Sequence, residues 1–108
     1  MEKNNHITMK EIRAIAKRIA EKFNVEKIIL FGSYAYGKPK AGSDVDLLIV
    51  MNTDKRHYEL RYQIYSILED FKSPVDVVIK KPEDVRAASR SRDWFLQDIV
   101  NKGRVIYG

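Results

Sequence analysis

Cysteine is absent from the 108-residue chain, which excludes disulfides, thiolate metal sites and cysteine nucleophiles at once. No stretch approaches the roughly 20 apolar residues that a membrane-spanning helix needs. The opening segment MEKNNHITMKEIRAIAKRIA carries charge throughout and lacks the apolar block of a signal peptide. Repeats and low-complexity tracts are missing, and no Pro/Gly-rich linker divides the chain. These absences lead to the expectation of one compact cytoplasmic domain over residues 1–108, with no membrane association.

Charge is plentiful. Twenty Lys and Arg against fifteen Asp and Glu leave a formal net charge of +5. That surplus permits a polyanionic partner, but the basic residues are spread along the chain and accompanied by acids. The densest basic stretch runs from Arg86 to Arg92, in VRAASRSRD, and it reads first as a solvated helix surface and second as a contact for an acidic protein or a nucleic acid.

Periodicity suggests the element order. Thr8 to Glu11 has the form of a capping box. Ile12, Ile15, Ala16, Ile19, Ala20 and Phe23 then fall at helical spacing, with Asn24 as a stop. KIILF, from Lys27 to Phe31, reads as a buried strand ending at Gly32-Ser33, and a loop rich in Gly, Lys and Pro follows from Gly37 to Gly42. Asp44 to Val50 reads as a second strand with acids at its start. Leu60, Ile64, Ile67, Leu68 and Phe71 predict a helix over roughly Lys55 to Phe71, broken by Ser73-Pro74. Val75 to Ile79 reads as a third strand, and Pro82 suits the first turn of a short helix. Trp94, Phe95, Ile99 and Val100 are expected on the buried side of a last helix, which Gly103 caps, leaving Arg104 to Tyr107 as an edge strand. The expected fold is α+β, a small mixed sheet with helices packed on it.

Three carboxylates carry the chemistry. Side chains alternate along a strand, so Asp44 and Asp46 share a face. Asp76 lies near the start of another apolar strand and joins them if the two strands are neighbours. An acid within VDVVI is costly to bury without a cation or hydrogen-bond donors. Clustered carboxylates call for a hard divalent cation, and oxygen-only ligands with open positions suit Mg²⁺ shared with substrate phosphates. Gly32-Ser33 sits where a strand gives way to a short helical turn through Tyr34, Ala35 and Tyr36. Glycine lets a ligand approach the backbone, and free N–H groups at a helix start with the Ser33 hydroxyl favour a phosphate. Taken singly, GSYAYG is a plain turn, Asp-x-Asp a solvated strand end, and Asp76 a capping or paired residue. Their joint occurrence beside strands favours a site for a metal–triphosphate.

These residues resemble the DNA polymerase β-like nucleotidyltransferases, whose signature is Gly-Ser, ten residues, Asp-x-Asp, and a third carboxylate on a later strand. Here Gly32-Ser33 is followed by Tyr34 to Ser43 and then Asp44-Val45-Asp46, with Asp76 in the third position. The similarity covers nearly the whole chain, and its length resembles the minimal nucleotidyltransferases, MNT. The resemblance implies that Asp44 and Asp46 hold two Mg²⁺ ions on the phosphates of ATP. It further implies that Asp76 shares in metal binding and activates the acceptor hydroxyl. Many relatives read GSxARG where this chain has Tyr36 in GSYAYG, which puts one triphosphate contact in question.

Larger relatives continue into helical regions that bind the acceptor, whereas minimal members pair with a HEPN-domain toxin. The resemblance therefore implies an antitoxin that adenylylates a tyrosine of a HEPN partner, with nucleic acid not expected as a direct substrate and homo- or hetero-oligomers left open. Two alternatives stand beside it: transfer to a small molecule with a partner subunit's help, and a non-catalytic module that neutralises its partner by binding. His57 reads as a solvated helix residue, and Trp94-Phe95 as a core or interface anchor rather than a base-stacking platform.

Overall fold

The computed structural model describes residues 7–37, 39, 42–71 and 73–108, so Lys38, Lys40 and Ala41 of the expected Gly/Lys/Pro loop lie outside the described residues. The helix α1 (Met9–Lys22) opens with the capping box: Glu11 N–H donates to Thr8 Oγ1 and Thr8 N–H donates to the Glu11 carboxylate, each at 3.2 Å. Its stripe of Ile12, Ile15, Ala16 and Ile19 is buried. Strand β1 (Lys27–Phe31) leads into the short helix α2 (Ser33–Tyr36), and strand β2 (Val45–Val50) follows. Then come α3 (His57–Ser66), β3 (Val75–Lys80), α4 (Pro82–Arg86), a 3₁₀ turn at Ala88–Arg90, α5 (Trp94–Lys102) and β4 (Arg104–Tyr107).

The strands form one mixed sheet in the order β3-β2-β1-β4. β1 is antiparallel to both β2 and β4, whereas β2 and β3 run parallel. Both sheet faces are covered, which explains why β1 and β2 read as near-continuous apolar runs. On one face Ile28, Leu30, Leu47, Ile49, Val77 and Ile79 pack with α1 and α3, including Leu60 and Ile64. On the other, Ile29, Phe31, Leu48 and Val50 pack with Leu96 and Ile99 of α5 and with Ala88.

Three expectations shift. The second strand begins at Val45, so Asp44 stands just before it. The helix expected over Lys55 to Phe71 is shorter, because its end tightens into turns: Leu68 N–H bonds Tyr65 O and Phe71 N–H bonds Leu68 O. Arg18 of α1 holds that end. Its guanidinium donates to Ile67 O at 2.9 Å and to both oxygens of Asp70 at 2.8 and 3.1 Å, and lies 4.9 Å from the Phe71 ring centroid. A tertiary contact thus replaces further helical bonds.

The third shift concerns α5. Trp94 and Phe95 were expected on its buried side, yet they are 78% and 54% exposed, and Val100 is exposed as well. Asp93 is the N-cap, its side chain accepting from Leu96 N–H at 2.9 Å. That cap sets the helical phase so that Leu96 and Ile99, three apart, face inward. Gly103 closes α5 with extended rather than left-handed backbone. Its role is close packing, since a Cβ there would press on the Ile29 side chain and the Ile99 and Leu30 carbonyls.

Candidate active site

The parallel pairing of β2 and β3 decides the site. Asp46 and Asp76 are register partners, one step inside each strand. On β2, alternation sends Val45, Leu47 and Ile49 to the α1–α3 face, so Asp46 shares the α5 face with Leu48 and Val50. On β3, Asp76 likewise falls on the face of Val78. The body of α5 covers Leu48 and Val50 and leaves the strand starts uncovered, so Asp46 is half-buried while Asp44 and Asp76 are exposed.

On its other side Asp46 pairs with Phe31, the last residue of β1. The chain then turns at Gly32, with φ of 76° and ψ of −159°. This turn comes directly against the Asp46 carboxylate: a Cβ built on Gly32 would overlap Asp46 Oδ2 and lie 3.1 Å from its Cγ. Gly32 is also the N-cap of α2, its carbonyl accepting from Ala35 N–H at 3.0 Å and Tyr36 N–H at 3.2 Å. Tyr34 is buried and its hydroxyl accepts from Ile7 N–H at 3.0 Å, which ties α2 to the entry of α1. Gly32 and Asp46, fourteen positions apart, are therefore neighbours in space.

Burial pushes the Asp46 carboxyl up to about 6, and the negative charges of Asp76 and then Asp44 add to that rise. Among the described residues, no salt bridge or hydrogen bond offsets the charge of these three carboxylates. Nor do they close into a ready-made cage of three metal ligands. The fit to a metal accordingly rests on donor chemistry: an oxygen-only, uncompensated acidic group at an open strand end. Such a set suits Mg²⁺, which retains water and takes phosphate oxygens as its other ligands. Among the described residues, clefts lie beside α3 and around the α4–α5 junction.

The model of the nucleotidyltransferase domain matches residues 12–106. The chain belongs to the nucleotidyltransferase family. This nucleotidyltransferase is 28% identical over 102 residues to a Methanocaldococcus jannaschii protein provisionally named a protein adenylyltransferase, across 91% of this chain and 96% of that relative. Its fold is similar to that of a toxin–antitoxin structure with AMP-PNP, with a TM-score of 0.66 at 24% identity over 91% of this chain and 73% of the other. A structure of tri-AMPylated Shewanella oneidensis HEPN toxin in complex with MNT antitoxin gives a TM-score of 0.59 at 23% identity, over 93% and 73% of the two chains. Both likenesses concern the fold. The α+β mixed sheet of the nucleotidyltransferase agrees with the polymerase β-like core expected from sequence. No helix among its described residues is long and apolar enough to cross a membrane.

The structure brings Gly32, Asp46 and Asp76 together, with Asp44 near enough to act on the charge of Asp46. Ser33 follows as the first residue of α2. Sequence reasoning missed the aromatic flank of this candidate site. Phe95 meets Phe31 edge-on, with ring centroids 5.7 Å apart and planes at 85°. The signal available was Asp93, whose capping of α5 assigns Leu96 rather than Phe95 to the inward face. His57 lies exposed at the start of α3, on the helix that covers the opposite sheet face.

Proposed function

We propose that the chain transfers AMP from ATP to a hydroxyl in a Mg²⁺-dependent reaction, and that the acceptor is a tyrosine of a HEPN-domain toxin. In this reading the chain is the antitoxin of a toxin–antitoxin module and works in the cytoplasm. The observation that carries it is the meeting of Gly32 with Asp46, itself paired with Asp76: a phosphate turn against an acidic pair.

Each residue then has a task. Asp44, Asp46 and Asp76 hold the metal, and the Gly32 backbone with the Ser33 hydroxyl receives the far phosphates of ATP. Mg²⁺ bound there neutralises phosphate charge and eases attack at the α-phosphorus. Asp76, the more exposed of the register pair, faces solvent where an acceptor can approach and takes the hydroxyl proton. A bond forms from the acceptor oxygen to the α-phosphorus, the bond to pyrophosphate breaks, and the protein's main contribution is alignment. Support for the protein acceptor comes from the M. jannaschii relative's name and from the HEPN toxin carried AMPylated in the S. oneidensis complex.

The test incubates the purified chain with Mg²⁺ and α-labelled ATP, with and without a candidate HEPN-domain partner, using Asp44→Asn/Asp46→Asn as control. Adenylyl units on the HEPN protein, absent with the variant, are the expected result. Label on a screened small-molecule acceptor instead redirects the reading to that class. Protection against the toxin that persists in the unlabelled double variant leaves a contact-only module.

A further inference from the structure

We propose that the exposed start of α5, Trp94 and Phe95 with Arg90 and Arg92 beside them, is the surface on which the acceptor protein docks. This inference rests on the protein-modifying reading above and assigns to it a place on the molecule.

Trp94 is 78% exposed and Phe95 54% exposed on a domain that buries most of its other large apolar groups. Phe95 is not loose: its ring is braced edge-on by Phe31, which is only 8% exposed. Phe31 is in turn the register partner of Asp46 and lies on the same sheet face. Phe95 is thus one residue removed, through Phe31, from Asp46, and Trp94 precedes it at the exposed start of α5. A protein that presents a hydroxyl to Asp76 must cover the acidic strand starts, beside which Phe95 stands. Exposed Trp, aromatic and Arg side chains are the residue types that anchor protein interfaces.

Charge indicates the partner's chemistry. Arg86 pairs with Glu26 at 3.8 Å and Lys80 with Asp93 at 3.2 Å. Arg90 and Arg92 are exposed and, among the described residues, face no acidic partner. The occupant is therefore a protein surface with an apolar recess for Trp94 and Phe95 and acidic residues opposite the two arginines. Aromatic and Arg side chains also suit single-stranded RNA. An RNA backbone here would run beside Asp44, Asp46 and Asp76, whose negative charges oppose it. A second exposed aromatic pair, Tyr58 and Tyr62 of α3, sits beside a cleft on the helix that covers the opposite sheet face. A partner held there is on the wrong side of the sheet to offer a hydroxyl to Asp76.

The experiment measures binding and modification of the candidate HEPN-domain partner by wild type, Trp94→Ala, Arg90→Glu/Arg92→Glu and the control Tyr62→Ala. Trp94→Ala is expected to raise Kd and KM for the HEPN protein at least tenfold, with the Kd for Mg-ATP within twofold of wild type and an unchanged melting temperature. The double charge reversal is expected to weaken binding and remove its salt dependence, while Tyr62→Ala changes nothing. Undiminished binding by Trp94→Ala and by the charge reversal overturns the surface while leaving the reaction intact. So does an equal loss of ATP affinity, which places Trp94 in the nucleotide site, or Trp94-dependent binding of oligo(A) in place of the protein. Wild type that neither binds nor modifies the HEPN protein overturns the reaction and the surface together.

Discussion

Gly32 and Asp46 touch: the turn that ends β1 is pressed against the carboxylate at the head of β2, leaving no room for a side chain between them. The φ of 76° and ψ of −159° at Gly32 belong to a region essentially reserved for glycine. Gly32→Ala therefore meets backbone strain, of order 1–3 kcal/mol, and a collision with the Asp46 carboxylate. Gly37 makes an instructive control, since its φ is also positive, at 80°, but its Cβ would meet nothing within 4 Å. Urea melts and transfer assays on both variants should show Gly32→Ala the less stable and at least tenfold less active. Gly37→Ala should lose about 1 kcal/mol, the usual left-handed cost, and retain transfer. Equal behaviour of the two would show that the contact with Asp46 is unimportant.

Asp46 should make the metal-free protein less stable as pH rises. Its carboxyl is raised from an ordinary 3.8 to about 6, by burial first and then by Asp76 and Asp44. The folded chain thus holds this proton more tightly than the unfolded chain, so its favourable contribution is complete below about pH 4 and lost as pH rises through about 6. Asp46→Asn removes that dependence. At neutral pH it should stabilise the chain by about 1 kcal/mol, a figure reduced from the full shift because water screens a half-exposed group. Melting curves in EDTA across this pH range supply the check, and parallel curves for the two proteins would contradict the prediction.

Adding metal and nucleotide should reverse the sign. Mg-ATP that binds only the folded chain stabilises it by about 2.7 kcal/mol at a hundred times its Kd. Wild type should gain melting temperature with Mg-ATP, and Asp44→Asn/Asp46→Asn should gain little, despite being the more stable protein without metal. A ligand-induced shift of equal size in the double variant would locate the nucleotide elsewhere.

Asp76→Asn should separate chemistry from folding. Asp76 is exposed, so its replacement should leave the melting curve within about 0.5 kcal/mol of wild type, as for ordinary surface substitutions. Loss of the proton acceptor should cost roughly 10²- to 10⁴-fold in kcat. A variant with normal kcat would remove Asp76 from the reaction.

The grouping of Gly32, Asp46 and Asp76 was legible because its signals are local and additive. KIILF ends where Gly32 begins, Asp44 and Asp46 share a face by alternation, and Asp76 opens the next apolar strand. What the chain alone left conditional was whether β2 and β3 are neighbours; their parallel pairing at Asp46 and Asp76 depends on the packing of α3 between them in sequence. The end of α3 was misjudged because Leu68 and Phe71 keep apolar character without helical bonds, their place being set by Arg18 from forty-nine residues before Ile67. Burial of Trp94 and Phe95 was misjudged for a related reason. Hydrophobicity marks what can be buried, whereas the cap at Asp93 decides which face is.

That cap supports the last prediction. Asp93 accepts from Leu96 N–H at 2.9 Å and from Lys80 Nζ at 3.2 Å, and the Leu96 bond, followed by Lys80, holds its carboxyl below the usual range. Asp93→Ala should cost about 1 kcal/mol, the typical loss of an N-cap, whereas Asp93→Asn keeps an accepting oxygen and should lose less. The Asp93 contribution is present above the ordinary carboxylate range and disappears as pH falls through its lowered value, so the wild-type and Asp93→Ala melting curves should converge in acid. Because Trp94 and Phe95 form the first turn of α5, the frayed Asp93→Ala helix should also bind the HEPN protein more weakly, with Asp93→Asn restoring binding. If Asp93→Ala frays the turn yet binds as tightly as wild type, the aromatic pair needs no helix to hold it in place.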